Sequence, residues 1–139
     1  MGNMTAPLLT EIDHVAIAVR DLDAAVAWYQ QMFGATVDHR EVVESDGVEE
    51  ALLKVADSYI QLLSPTRDDA PVAKYLEKNG EGLHHVGYRV RDAEAVREAY
   101  VEKGGRAIDE HARPGSRGTT VAFLHPKGAW GTLIELVEE

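Results

Sequence analysis

Two stretches decide the fold: Gly82-Leu83-His84-His85-Val86-Gly87-Tyr88-Arg89-Val90 and, earlier in the chain, Ile12-Asp13-His14-Val15-Ala16-Ile17-Ala18-Val19. They align on His14 and His85, which are 71 positions apart. The same offset relates further identical residues, namely Arg20 and Arg91, Asp21 and Asp92, Ala24 and Ala95, Tyr29 and Tyr100, and Gly34 and Gly105. Identity at one fixed offset indicates a structural module that occurs twice. A histidine in both copies predicts a site where the two modules meet.

The length allows one domain. A chain of 139 residues and 15.3 kDa can bury one core but is too short for two independent ones. We therefore predict a single domain, residues 8–139, with modules at about 8–64 and 82–139 and a linker containing a short helix at 65–81. We call these module one and module two.

Charge and composition limit the expected binding partners and the expected cellular location. The chain has 14 basic and 24 acidic residues, a formal charge of −10, so nucleic acid and an anionic membrane surface are poor partners. It has no cysteine, which excludes disulfide and thiolate chemistry. Residues 1–10 lack a basic segment followed by an apolar run, and Met4 is an alternative start residue. We expect a cytoplasmic protein.

The pattern of module one predicts the order βαβββ. Residues 12–19 alternate as a strand, and Asp21 is a suitable N-cap for a helix that ends at Gly34. Strands are predicted at 35–43, 48–55 and 59–63, with a turn at 44–47. A short helix at 72–78 belongs to the linker.

Module two repeats this order. Strands are predicted at 83–90, 106–113, 119–125 and 132–137, with a helix at 92–103. The offset of 71 holds for the third strands, whereas the last strands are displaced by 74, so Gln61 and Glu135 are equivalent. The predicted fold class is α+β, with paired βαβββ modules forming a curved sheet around a metal site.

Side chains alternate between the two faces of a strand, and this alternation predicts which of them face the site. Ile60 and Leu62, like Ile134 and Leu136, suit the face covered by helices, which turns Gln61 and Glu135 the other way. The same reasoning places His14 and His85 on the sheet face away from the helices, with Gln61 and Glu135. Two imidazoles, a carboxylate and an amide oxygen suit a divalent ion and leave two coordination positions open on an octahedral metal.

Each of these residues also has an ordinary structural explanation. A single histidine at the start of a strand is more often structural, and His84 is of that kind. Glu135 could be a charge on an edge strand. For His14 and His85 the repeat favours the metal site, because inward imidazoles in both copies would otherwise be buried polar groups without partners.

A further acid, Glu50, is predicted to face the metal site. It shares strand parity with Val48 and Leu52, whereas Glu49 lies on the opposite face. A carboxylate there is costly unless it acts as an acid or base. The alternative is that Glu50 is a solvated member of an acidic run.

These residues resemble the vicinal oxygen chelate (glyoxalase-like) superfamily and, within it, the methylmalonyl-CoA epimerase family, from Ile12 to Glu135. Besides the histidine strand, the resemblance is carried by the linker segment at 72–85, by Val121-Ala122-Phe123-Leu124-His125-Pro126-Lys127 and by Leu133-Ile134-Glu135-Leu136. The linker segment discriminates best, because the histidine strand is shared across the superfamily.

The resemblance implies a metal-dependent epimerase that interconverts (2R)- and (2S)-methylmalonyl-CoA through a metal-stabilised enolate. It implies the metal ligands His14, Gln61, His85 and Glu135, one divalent ion per chain (Co²⁺ first, with Mn²⁺, Ni²⁺, Zn²⁺ or Fe²⁺ as alternatives) and Glu50 and Glu135 as acid/base pair. It also implies a homodimer and substrate contacts from the loop Ser116, Arg117 and Gly118. Arg117 departs from the glycine- and serine-rich composition common there.

Two other classes of protein stay open. Glyoxalase I and extradiol dioxygenases use the same scaffold, but the former typically carries Glu where Gln61 stands. The latter needs only two histidines and one glutamate with Fe²⁺. A metal-free binding module is the non-enzymatic alternative, and it would not require all four ligands.

Overall fold

The computed structural model describes residues 7–139, so the alternative start at Met4 lies outside the described residues. It confirms the predicted α+β class and the order of two βαβββ modules. The elements are β1 (Glu11–Ala18), α1 (Leu22–Phe33), β2 (Val37–Val43), β3 (Val48–Val55), β4 (Ser58–Pro65), α2 (Pro71–Asn79), β5 (Gly82–Arg89), α3 (Ala93–Glu102), β6 (Arg113–Pro114), β7 (Thr120–Leu124) and β8 (Ile134–Glu138).

Equivalent residues begin the two long helices. The Asp21 side chain accepts a hydrogen bond from the backbone N–H of Ala24, and the Asp92 side chain accepts one from Ala95, both at 3.0 Å. Each satisfies a backbone donor that the first helical turn leaves without a partner. Gly34 ends α1 in the left-handed conformation, with φ of 65°. The sequence predicted the N-cap at Asp21, and the repeat offset of 71 relates Asp92 to it.

Residues 14–85 form the first of two compact units. Its strands are ordered β2-β3-β4-β1, with β1 parallel to β4. Helix α1 packs on one face of this sheet, where the buried residues are Val19, Leu22, Val26, Ala51, Leu53 and Leu62. The predicted helix-facing parity of β3 and β4 is therefore correct.

Helix α2 covers part of the opposite face of the first unit. It begins with Pro71 at N1, which suits a helix start, and it buries Val72 and Leu76, one helical turn apart. These two side chains pack against Ala16 and Ala18 of β1. The linker helix is thus part of the core, a role that the sequence did not predict.

Residues 7–13 and 86–139 belong to the second unit. Its strands are ordered β5-β8-β7-β6, and β8 is parallel to β5. Helix α3 packs on one face of them. The buried residues of that core are Val90, Ala93, Leu124 and Leu136.

The strand registers reproduce the sequence repeat. Leu52 is opposite Gln61 in the first unit, and Phe123 is opposite Glu135 in the second. In the parallel pairs, Ala16 is opposite Gln61 and Gly87 is opposite Glu135. Gln61 and Glu135 therefore occupy equivalent places, as the offsets of 71 and 74 predicted.

The predicted strand at 106–113 is wrong for most of its length. Only Arg113–Pro114 forms β6, and Ala107 makes an isolated bridge to Leu124. Asp109 accepts a hydrogen bond from the backbone N–H of Phe123 at 2.8 Å, so its side chain takes the place of a ladder carbonyl. The backbone N–H of Ala112 donates to the Glu94 carboxylate at 2.6 Å.

Across residues 7–139, no helix combines the length and the hydropathy needed to cross a membrane.

Candidate active site

Strands β1 and β5 bring the two repeat histidines together in the first unit. His14 and His85 are buried, and their Nε2 atoms are 2.9 Å apart. The two rings are nearly perpendicular, at 88°. Because one Nε2 can donate a proton to the other, this pair is a hydrogen bond when one imidazole is the Nε2–H tautomer.

The same arrangement suits two nitrogen ligands of one metal ion. Imidazole nitrogens bind a zinc-like ion at about 2.0–2.1 Å, which places two ligands at right angles about 3 Å apart. The two buried Nε2 atoms already have this spacing. The two nitrogens are therefore close enough together to be ligands of a common ion.

His84 orients His85 through the other ring nitrogen. The Nδ1 atoms of the two side chains are 2.8 Å apart, and the Tyr75 ring packs edge-on against His84 with centroids 4.7 Å apart. When Nδ1 of His85 carries the proton of this hydrogen bond, its Nε2 keeps a lone pair and is able to bind a metal ion, because the hydrogen bond at one nitrogen fixes the role of the other. The sequence pattern indicated only a structural role for His84, and the position of His84 beside His85 was the available signal.

Gln61 and Glu50 form a second buried pair in the first unit. Gln61 Nε2 donates a hydrogen bond to Glu50 Oε1 at 2.9 Å, and the residues are only 6% and 2% exposed. Gln61 Oε1 is also buried, and it accepts no hydrogen bond within the part of the chain that the structure describes. An amide oxygen in this position is a suitable metal ligand, since a buried acceptor without a partner is costly.

The strand parity of Glu50 is as predicted. It lies on the face of β3 that also carries Val48, whereas Ala51 and Leu53 pack against α1. Its neighbour Glu49 is on the other face and pairs with Arg40 at 2.9 Å. Burial contradicts the alternative that Glu50 is a solvated acid.

The turn before β3 fixes where that strand begins. Gly47 has φ of 65°, and a Cβ there would lie 2.7 Å from the Arg67 guanidinium and 2.9 Å from Ala70 Cβ. Only glycine fits both the conformation and the space. Gly47 thereby holds the start of β3, three residues before Glu50.

Glu135 lies in the second unit, on β8. It is 9% exposed, and its neighbours Ile134 and Leu136 pack in the core against α3. Period-two alternation therefore turns Glu135 to the sheet face away from α3, as the sequence predicted. The alternative of a solvated charge at a sheet edge is excluded by its burial and by strands β5 and β7 on either side.

The predicted substrate loop is held by an ion-pair network in the second unit. Arg117 has a left-handed backbone, with φ of 57°, and its Nη2 donates to Asp13 Oδ2 at 2.9 Å. Arg89 Nη2 donates to Asp13 Oδ1 at 2.6 Å. Asp13 is fully buried. The sequence did not identify Asp13, and the contacts of Ser116 and Gly118 with a substrate stay a prediction.

Asp13 also affects the protonation of Arg89. Burial alone would lower the pKa of the Arg89 guanidinium, but the hydrogen bonds and negative charge of Asp13 outweigh burial and raise it. The buried carboxylate of Asp13 thus accepts hydrogen bonds from two guanidinium groups, those of Arg89 and Arg117.

Comparison with known proteins finds a matching superfamily and similar epimerases. The family model of the Glyoxalase/Bleomycin resistance protein/Dioxygenase superfamily matches residues 13–123. The ethylmalonyl-CoA/methylmalonyl-CoA epimerase of Cereibacter sphaeroides is 38% identical over 131 residues, which cover 93% of this chain and 98% of the relative.

Solved structures of epimerases are also similar to this chain. A Streptomyces coelicolor methylmalonyl-CoA epimerase variant in complex with 2-nitronate-propionyl-CoA has a TM-score of 0.91 and 46% identity, covering 94% of this chain and 98% of that one. A methylmalonyl-CoA epimerase in complex with methylmalonyl-CoA and NH4+ has a TM-score of 0.91 and 47% identity, with coverage of 94% and 95%.

Proposed function

Because the chain belongs to the methylmalonyl-CoA epimerase family of the Glyoxalase/Bleomycin resistance protein/Dioxygenase superfamily, we propose that it interconverts (2R)- and (2S)-methylmalonyl-CoA by proton transfer at C2. The observation that carries the proposal is the buried Glu50 carboxylate, held by Gln61 on the sheet face opposite α1. A carboxylate kept in place and shielded from water is what abstraction of a carbon-bound proton requires.

Inversion at C2 needs a proton removed from one face and a proton delivered to the other. The base breaks the C2–H bond, and the electron pair moves into the thioester carbonyl as an enolate forms. Glu50 is one such base in this proposal. Its hydrogen bond from Gln61 fixes the orientation of the carboxylate.

Glu135 is the second acid/base group. It returns a proton to the opposite face of C2 from the carboxyl oxygen that is not a metal ligand, so one turnover leaves Glu50 protonated and Glu135 ionised. The reverse direction uses the two residues in exchanged roles, as microscopic reversibility requires. Two bases are expected because a substrate held at both its carboxylate and its thioester cannot rotate in the site. A single base could therefore reach only one face of C2.

The donor set fits a divalent metal ion. In this proposal His14 and His85 supply two nitrogen ligands, Glu135 supplies a carboxylate oxygen, and the buried amide oxygen of Gln61 is the fourth ligand. When bound, the ion would supply positive charge that stabilises the developing enolate oxygen and attracts the substrate carboxylate. This mixed set of nitrogen and oxygen donors suits Co²⁺, with Mn²⁺, Ni²⁺, Zn²⁺ and Fe²⁺ as alternatives.

Exchange of the C2 proton with heavy water tests the proposal. We expect deuterium at C2 of methylmalonyl-CoA together with inversion, and loss of both after treatment with a chelator. The assay includes ethylmalonyl-CoA, because the Cereibacter relative is named for both substrates. Absence of exchange in protein loaded with Co²⁺ would refute the proposal and favour another reaction on this scaffold. Unchanged activity in metal-free protein would refute the metal site alone.

The homodimeric state and the cytoplasmic location remain predictions. Sedimentation of the purified protein tests the first.

A further inference from the structure

The loop that joins β7 to β8 forms a surface pocket in the second unit. The pocket has a volume of about 470 Å³ and is lined by His125, Pro126, Lys127, Gly128, Trp130 and Gly131. This volume lies within the range of small-molecule sites. None of the catalytic or metal-binding residues proposed above lines it.

Trp130 is the unusual residue of this loop. Its side chain is fully exposed, at 101%, and its backbone has φ of 59°. A large aromatic residue rarely adopts the left-handed conformation, and strained backbone of this kind concentrates at binding and catalytic sites. The loop fixes the conformation, since the backbone N–H groups of Ala129 and Gly131 both donate to the Pro126 carbonyl at 3.0 Å. The indole is therefore presented to solvent on a defined backbone.

The polar groups of the pocket suit an anion. Lys127 lines the pocket and makes no ion pair with the residues that the structure describes, and the lining contains no acid. The backbone N–H of Lys127 donates to His125 Nδ1 at 2.9 Å, so the proton of a neutral His125 is on Nε2, a donor. In a chain of charge −10, the pocket thus has a locally basic lining beside an exposed aromatic ring.

The pocket is close to Glu135 along the chain. Gly131 is four residues before Glu135 on the way into β8, so at most about 14 Å of extended chain separates them. A ligand that reached from Gly131 of the pocket to the backbone of Glu135 would therefore span no more than this distance.

We propose that this pocket binds the 3′-phosphoadenosine end of the acyl-CoA, with the adenine stacked on Trp130 and a phosphate paired with Lys127. Any base presents a flat face for stacking on an indole, and a lysine ammonium is a suitable partner for a phosphate. The proposal rests on the proposed function, because it takes the substrate to be a CoA thioester. It adds a binding site for the part of the substrate that lies away from C2.

Tryptophan fluorescence tests binding without any need for catalysis. The chain has two tryptophans, so Trp28→Phe leaves Trp130 as the only one. We expect adenosine 3′,5′-bisphosphate to quench this variant's fluorescence saturably, in competition with CoA. Pantetheine, which lacks the nucleotide, should not quench it. Absence of quenching by the bisphosphate would overturn the proposal.

Substitutions at Trp130 separate the ring from the backbone. Trp130→Gly removes the ring and suits the positive φ, so the variant is expected to fold. Trp130→Phe keeps an aromatic ring. By calorimetry, Trp130→Gly should weaken bisphosphate binding about tenfold or more, whereas Trp130→Phe should retain most of it. Equal affinity of Trp130→Gly and the unsubstituted protein would overturn the proposal.

Lys127→Ala tests the phosphate contact, with Lys78→Ala as control because Lys78 is exposed on α2. We expect only Lys127→Ala to weaken bisphosphate binding, and the loss should be small for adenosine itself. ATP distinguishes the source of the nucleotide, since it lacks a 3′-phosphate. If ATP bound as tightly as the bisphosphate, the site would serve free nucleotides and the acyl-CoA assignment would be wrong.

Kinetics links the pocket to turnover. Trp130→Gly should raise KM for methylmalonyl-CoA with little change in kcat, and it should leave KM for methylmalonyl-pantetheine unchanged. If the protein bound the bisphosphate at Trp130 but did not epimerise, the proposed function would fail while the nucleotide site stood. Epimerisation with equal KM for both thioesters would contradict the nucleotide site alone.

Discussion

The third strands of the two modules place different side chains at the same buried position. Glu50 of β3 and Val121 of β7 are related by the repeat offset of 71 and are 2% and 3% exposed. Their partners across the sheet, Leu63 and Val137, are equivalent as well. The same backbone position therefore accepts a carboxylate in one module and an apolar side chain in the other.

This difference indicates that Glu50 is not required for folding. An apolar residue satisfies the position in module two, whereas burying a carboxylate costs free energy that must be offset by hydrogen bonds. Gln61 supplies one of these bonds in module one. Burial of a carboxylate at a position where valine suffices costs free energy of folding. This cost supports a chemical role for Glu50. The histidines behave in the opposite way, since both modules keep them.

The largest effect is expected where the modules are alike. His14→Ala and His85→Ala should each abolish metal binding and reduce epimerisation by about 10³-fold or more, because each removes one ligand of the same ion. Metal content after loading with Co²⁺ and the rate of epimerisation are the measurements. His111→Ala is the control, since the His111 side chain is 80% exposed and belongs to neither proposed site. Normal metal content in either variant would contradict the shared site.

A smaller effect is expected where the modules differ. Glu50→Gln should reduce epimerisation by roughly 10²- to 10⁴-fold, the usual contribution of acid/base catalysis, while the metal stays bound. Glu135 should still exchange the C2 proton of one enantiomer with solvent without inverting it. Deuterium uptake is measured separately for the (2R) and (2S) substrates.

Glu49→Gln is the matched control for Glu50→Gln, because Glu49 is the adjacent residue on the opposite face of β3. It should leave both exchange rates unchanged. Equal loss of exchange for both enantiomers in Glu50→Gln would count against the assignment of two bases.

A structural effect follows from the Asp13 network of the second unit. Asp13→Asn should lower the free energy of unfolding by about 3 kcal/mol, the lower part of the range for breaking a buried ion pair. The lower part applies because Arg89 and Arg117 keep 19% and 14% of their side-chain exposure. Urea denaturation at pH 7 measures it.

Glu11→Gln is the comparison for Asp13→Asn. Glu11 pairs with the same Arg89 at 3.2 Å but is 38% exposed, so its loss should cost less than about 1 kcal/mol. Similar losses in both variants would show that burial of Asp13 does not determine its contribution.

Local patterns in the sequence were sufficient for most of the fold. The N-cap Asp21, strand β3 and the faces of β4 and β8 follow from periodicity and from the repeat, since each depends on neighbouring residues. The inward positions of His14 and Gln61 follow in the same way. Each of these predictions used a spacing that the two modules share.

The predicted strand at 106–113 was wrong because side chains there replace the backbone partners of a sheet. The segment before β6 carries Asp109, and Glu94 on α3 accepts a hydrogen bond from Ala112, so the backbone there has partners other than a ladder. Residues distant in sequence also meet at Asp13, which contacts Arg89 and Arg117. Such contacts have no period, and the sequence alone does not identify them.

The smallest expected effect concerns Glu94 and its equivalent in module one, Asp23. Glu94 accepts hydrogen bonds from Arg97 at 2.9 Å and from the Ala112 backbone at 2.6 Å, whereas Asp23 pairs with Arg40 and is 82% exposed. The hydrogen bond from Arg97, followed by that from Ala112, lowers the pKa of the Glu94 carboxyl well below its ordinary value of 4.5. Ionised Glu94 therefore stabilises the folded state.

Because the pKa of Glu94 is lower in the folded than in the unfolded state, this stabilisation is fully present above about pH 4.5 and is lost as the pH falls toward the folded pKa. Glu94→Gln should therefore be less stable than the unsubstituted protein at pH 7, and the difference should shrink steadily below pH 4.5. Urea denaturation between pH 7 and pH 3 measures it. Asp23→Asn should give a smaller difference at pH 7, since solvent screens an exposed pair. A Glu94→Gln difference that stayed constant down to pH 3 would show that the charge of Glu94 does not stabilise module two.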